Sequence, residues 1–130
     1  MPATNERNGT PRPNLILAHP DEGYTAAVRR SFRRLHWAIH LAPNADEVRR
    51  LARLHGPELI VLAANLPGES GWLTCDKLRA ELPGVKIALV VAEPTPYLER
   101  FAQFVGAAAL VSVHSAPAAL LDLVAQPAVA

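Results

Sequence analysis

The sequence predicts a small α/β domain in which a parallel five-stranded sheet carries helices on both faces. Three observations predict it. Short apolar runs alternate five times with stretches of helical period. The apolar runs are almost unbroken Leu, Ile and Val, as strands covered on both sides must be. Each run is followed by enough helical sequence to carry the chain back, which a parallel connection requires. At 130 residues the chain is one domain by length. With only two Trp, two Tyr and three Phe, its core has to be built mainly from aliphatic side chains.

The elements follow in order. Residues 1–13 are polar and proline-rich and read as a flexible arm; the domain spans 14–125, and 126–130 read as a frayed tail. Leu15 to Ala18, bounded by Pro13 and Pro20, form the first strand. From Gly23 the period becomes helical, with Tyr24, Ala27, Val28, Ser31, Phe32 and Leu35 inward and Arg29, Arg30 and Arg33 outward. Trp37, Ile39 and Leu41 then alternate with Ala38, His40 and Ala42, a second strand. Asn44 is an N-cap for a helix that buries Val48, Leu51 and Leu54 and stops at Gly56-Pro57.

Leu59 to Ala63 is the third strand. The turn Leu66 to Gly71 opens a helix with Trp72, Cys75, Leu78 and Leu82 inward, ended by Pro83-Gly84. Val85 to Ala92 is the fourth strand. Thr95-Pro96 starts a helix with Leu98, Phe101 and Val105 inward, ending at Gly106. Leu110 to Val113 is the fifth strand, and Pro117 to Ala125 the last helix, with Leu120, Leu121 and Val124 inward. Ligands of such sheets bind beyond the carboxyl ends of the strands, so the residues that end strands one, three, four and five are the ones to examine.

Composition narrows the function classes. A net charge of +1 provides no broad field, so neither nucleic acid nor a membrane surface is an expected partner. Arg29, Arg30, Arg33 and Arg34, with Arg49, Arg50 and Arg53, make two basic helix faces that read as solvated. No apolar run reaches the roughly 18 residues of a membrane span, and a cytoplasmic location is expected. The lone Cys75 cannot form an internal disulfide and reads as core packing. The five histidines lack zinc spacing, no Ser/His/Asp order suggests a triad, and no glycine-rich phosphate loop occurs. The expectation is therefore a protein that is not an enzyme and holds no cofactor and no metal. His19 and His114 both fall near the crevice rim, where they could form a pH-sensitive pair.

The segment Pro57-Glu-Leu-Ile-Val-Leu-Ala-Ala-Asn-Leu-Pro-Gly-Glu-Ser-Gly71 resembles the third strand and following loop of response-regulator receiver domains, written P-D-L-I-V-L-D-x-x-L-P-G-x-D-G. Gly106-Ala107-Ala108-Ala109-Leu110 is similar to the G-A-x-x-Y that enters the family's fifth strand. The element lengths match from about Leu15 to Val124. The resemblance implies a three-layer, flavodoxin-like (βα)5 fold with strand order 2-1-3-4-5. It also implies where phosphoryl chemistry would sit, and there the chain departs from the family. The family's acidic pair falls on His19 and Pro20, its nucleophilic aspartate on Ala63, its hydroxyl on Val91 and its lysine on Val113. Its state-reporting aromatic falls on Leu110, and the proline after its lysine on His114. Asp21 and Glu22, one and two residues past the expected acids, are the possible residual carboxylates, and they equally suit the first turn of a helix.

The chain is thus expected to be a pseudo-receiver of bacterial two-component signalling that acts by binding a signalling protein or a second copy of itself. Tyr97, Arg100, Phe104, Leu110 and His114, on the fourth helix and fifth strand, are the expected interaction face, because interfaces concentrate aromatics and Arg. In receivers this helix, the fifth strand and the fifth helix also form homodimers. The alternative is a small-ligand sensor using the remodelled crevice around His19, Ala63 and His114.

Overall fold

The computed structural model describes residues 12–125. Ten elements alternate along the chain: β1 (Asn14–Ala18), α1 (Glu22–Arg33), β2 (Ala38–Leu41), α2 (Ala45–His55), β3 (Leu59–Ala63), α3 (Gly71–Glu81), β4 (Lys86–Val91), α4 (Pro96–Phe104), β5 (Ala109–Ser112) and α5 (Ala118–Ala125). All pairings are parallel and the strand order is β2-β1-β3-β4-β5. This is the three-layer arrangement and the order that the sequence predicts. The expected arm and tail lie, apart from Arg12 and Pro13, outside the described residues.

Alternation along the strands divides the core in two. Leu15, Leu17, Leu59, Val61, Ala88 and Val90 face one side, where Tyr24, Val28 and Phe32 of α1 and Leu120 and Leu123 of α5 cover them. Ile16, Ala18, Ile60, Leu62, Ile87 and Leu89 face the other, under α2, α3 and α4. Every residue of β3 is buried, as the central strand of a doubly covered sheet should be. Removing a large side chain such as Phe32, fully buried against the edge of Trp37, would cost about 3–5 kcal/mol.

The helix starts are capped by the residue types that suit them. Asp21, Asn44, Ser70 and Thr95 each accept from backbone amides of the first turn. Gly56, at φ +56°, ends α2 in the left-handed conformation that glycine adopts without strain.

Four expected inward residues are placed differently. Leu54 is 64% exposed, because the 3.6-residue period carries the buried stripe of α2 through Ala45, Val48, Leu51 and Ala52. Leu35 lies past the end of α1, in a turn where His36 has φ 65°, and is exposed. Leu41 ends the edge strand β2 and is likewise exposed. Phe101 sits at the rim of α4, since the small Ala102 is the side chain that lets this helix approach the sheet. Arg12 straps the turn after α1, its guanidinium donating to the carbonyls of His36 (2.9 Å) and Trp37 (2.8 Å).

Gly71 brings the start of α3 tightly against the end of β3. A Cβ there would stand 2.2 Å from the Ala63 carbonyl oxygen, a backbone atom at the carboxyl end of β3. Gly71→Ala is therefore expected to lower stability by about 1–3 kcal/mol through overpacking, read as a fall in the urea midpoint. An unchanged midpoint would mean that α3 shifts outward freely.

Candidate functional site

The residues singled out at the strand ends are brought together along the carboxyl edge of the sheet. Ala63 closes β3 and is buried, as is Ala64. The Ala64 amide donates to the Val90 carbonyl at 2.9 Å, and the Val113 amide to the Val91 carbonyl at 2.8 Å. The ends of β3, β4 and β5 are thus joined by backbone hydrogen bonds. Val91 and Val113 are partly buried, and Val113 packs against the core under α1 and α5. Methyl groups at these positions need no polar partners, whereas carboxylates and an ammonium here would need charge pairing or solvent.

On the β1 side, His19 is half-buried and leans on the Tyr24 ring, with centroids 4.8 Å apart. Its Nδ1 accepts from the Asp21 amide at 3.0 Å, which places the ring proton on Nε2. Burial lowers its pKa below the usual 6.5, partly opposed by the Asp21 carboxylate. A neutral imidazole with Nδ1 committed to a backbone amide is no ligand for a hard cation. Asp21 accepts from the amides of Gly23 (2.8 Å) and Tyr24 (3.2 Å), so its carboxylate is engaged as the cap of α1. Glu22 and Pro20 are exposed. Among the described residues, no group of three His, Cys, Asp or Glu could hold a metal ion.

His114 is exposed, and its amide donates to the Ser112 hydroxyl at 3.0 Å. That hydroxyl itself donates to the Ala92 carbonyl at 3.2 Å, tying the β5 exit to the β4 exit. The ring of His19 meets Tyr24, and the histidines that do pair are His40 and His55, stacked at 3.8 Å and 15°. Burial first, and then the nearby His55, lower the His40 pKa. Cys75 is fully buried beside the Val105 carbonyl, and burial pushes its thiol up to about 11, as suits packing rather than nucleophilic chemistry.

The loop between β3 and α3 contains a polar hub that sequence reasoning missed. Glu69 accepts from Arg49 of α2 (2.6 Å), Thr74 of α3 (2.7 Å) and Lys77 of α3 (2.7 Å). Burial alone would raise its carboxyl, but the hydrogen bonds from Lys77, Thr74 and Arg49 outweigh this and hold it at about 2. Two helices and the loop are thereby fastened around one carboxylate. The remaining α2 arginines are also engaged, Arg50 with Glu47 and Arg53 with Glu81. No local sequence pattern marks Glu69, whose partners lie five, eight and twenty residues away.

The expected interaction face is exposed in large part. Tyr97 is 68% and Phe104 82% accessible, and Arg100 and His114 are also exposed. Leu110 is half-buried and packs against the core under α4. Phe101, 36% accessible, completes a stripe with Tyr97 and Phe104 at i, i+4 and i+7. Its ring lies 4.8 Å from Trp72 and 6.3 Å from Phe104.

No family model matches the chain, and no curated protein matches it. Solved structures do. A response regulator from Burkholderia pseudomallei, with a phosphorylated aspartic acid, a calcium ion and citrate, is similar at TM-score 0.77 and 20% identity, over 86% of this chain and 66% of that one. The BeF3-activated N-terminal receiver domain of RstA from Klebsiella pneumoniae is similar at TM-score 0.75 and 20% identity, over 84% of this chain and 92% of that one. A LuxR-family two-component response regulator from Aurantimonas is similar at TM-score 0.71 and 24% identity, over 92% and 90%. The chain therefore has the receiver fold. Among the described residues no helix is long and apolar enough to cross a membrane.

The Glu69 hub has a definite pH signature. Its carboxyl titrates near 2 in the folded chain against an ordinary 4.5, so its contribution to stability is present above about 4.5 and is lost as pH falls toward 2. Glu69→Gln should be less stable than wild type at neutral pH, and the gap should close below pH 4.5. A gap that stays constant between pH 7 and pH 2.5 in urea titrations would contradict the hub.

Proposed function

We propose that this domain is a phosphorylation-independent, receiver-like signalling module that acts by binding another protein through α4, β5 and α5. The single observation that carries the reading is Ala63. Its side chain ends β3 where receivers place the nucleophile, and a methyl group offers no oxygen to a phosphoryl donor. The surrounding positions agree, because Val91 and Val113 stand where hydroxyl and lysine would engage the phosphate, and Asp21 is held as a helix cap. The Burkholderia pseudomallei structure carries a phosphorylated aspartic acid; this chain retains the fold with an apolar strand end in its place.

A receiver without that chemistry keeps its surfaces. Of the seven Trp, Tyr and Phe residues, three lie on one stripe of α4 and are exposed, with Arg100 beside them. Aromatic rings left in water while aliphatic residues fill the core are what an interface supplies to a partner. In this reading the module has one resting conformation, set by the Glu69 hub and the joined strand ends, and the partner supplies whatever change follows.

The test is a double variant, Tyr97→Ala/Phe104→Ala. Both residues are exposed, so its stability should stay within about 1 kcal/mol of wild type. Wild type should retain a specific protein from its native lysate, or self-associate in light scattering, and the folded variant should do neither. If wild type and variant are both inert monomers, the α4 face is not an interface and the reading fails.

A further inference from the structure

The basic face of α1 is open to solvent, with Arg30, Arg33 and Arg34 exposed and Arg29 partly so. We infer that Arg29, Arg30, Arg33 and Arg34 form a second docking surface, one that takes an acidic segment of a partner protein through its carboxylates. Among the described residues, the four arginines and Ala26 line a hollow of about 490 Å³. Among the described residues none of the four guanidiniums has an ion pair or hydrogen bond. On α2 the situation is opposite, since Arg49, Arg50 and Arg53 each meet a carboxylate. The near-zero net charge therefore hides an uneven distribution: four carboxylates are committed to the α2–α3 side, and none among the described residues pairs with the α1 arginines.

Local physics does not account for this arrangement. Arg29 with Arg33, and Arg30 with Arg34, are like charges at i and i+4, a spacing that destabilises a helix. In α2, where Arg49 and Arg53 share that spacing, Asp46 and Glu47 stand three residues before Arg49 and Arg50 and offset the repulsion. The negative end of the helix dipole favours cations near the last turn, but it does not require four of them around one hollow.

The occupant follows from the chemistry. Guanidinium forks pair bidentately with planar carboxylates. Among the described residues the patch holds no lysine, and arginine enriched over lysine is the composition of protein interfaces. A nucleic acid would be drawn by a general positive field, which a net charge of +1 does not supply. Leu35, exposed immediately after Arg34, offers an apolar contact to a segment that carries both acidic and aliphatic residues. The surface belongs to the α1–α5 layer, and the aromatic stripe to the α2–α4 layer. The inference stands on the arginines alone, so it survives or falls independently of the α4 reading.

The probe is a labelled peptide repeating Glu-Glu-Leu, followed by fluorescence anisotropy, with its Gln-Gln-Leu counterpart and a labelled DNA duplex as comparisons. The acidic peptide should bind saturably, weaken with added salt, and bind more tightly than either comparison. Arg30→Ser/Arg33→Ser should weaken it about tenfold or more, as expected for lost charge-assisted bonds. Arg50→Ser/Arg53→Ser, which removes the same net charge from α2, should change it by less than about threefold. Ala26→Glu places a carboxylate three and four residues before Arg29 and Arg30, so it should keep or raise the thermal midpoint while weakening the peptide. Misfolding cannot produce that combination. The inference is overturned by absence of saturable binding, by equal losses in the α1 and α2 variants, or by tighter binding of the duplex, which would make the occupant a phosphate polymer.

Discussion

β3 lies at the centre of a sheet covered on both faces, and the rest of the structure depends on that burial. All five of its side chains are removed from water, and both core halves are organised around it. A charged group at its carboxyl end would sit where the low dielectric of the interior meets the crevice, and it would need cation, phosphate or solvent to compensate it. With Ala63 the strand ends without a charge. Val91 and Val113 extend the same solution across β4 and β5, and the backbone bonds between Ala64 and Val90 and between Val113 and Val91 hold these ends together. An apolar strand end needs no ion or solvent to compensate it.

A second constraint fixes the loop that follows β3. Glu69 collects Arg49, Thr74 and Lys77 from two helices, while Gly71 brings the start of α3 against the Ala63 carbonyl. Loop and strand end are held by unrelated interactions, one ionic and one steric. Those surfaces differ in kind. The α4 stripe is aromatic and apolar with Arg100 beside it; the α1 face sets four arginines around a hollow. They lie on opposite layers, so two partners could be held at once.

Much of this was legible in the sequence because it is written in short-range pattern. Strand positions followed from apolar runs, the start of α2 from its Asn44 cap, and its ending from Gly56. The strand order came with the resemblance carried by residues 57–71, since periodicity contains no information about which strands are neighbours. Expectations failed where a helix's rotation is set by the size of one side chain, as with Ala102 turning Phe101 to the rim, or where the chain leaves the helix early, as at Leu35. The Glu69 hub and the stacked His40 and His55 were invisible because their partners are distant in sequence. The two arginine faces look alike in sequence; only the placement of carboxylates distinguishes paired from unpaired.

The most direct measurement is intact-mass spectrometry with amide NMR after incubation of the full chain with acetyl phosphate and Mg²⁺. The account predicts no added phosphoryl group and amide shifts unchanged at β3, β4 and β5. A phosphoryl group gained on any carboxylate at the crevice, Asp21 or Glu22 included, with shifts spreading into β4 and β5, would contradict it.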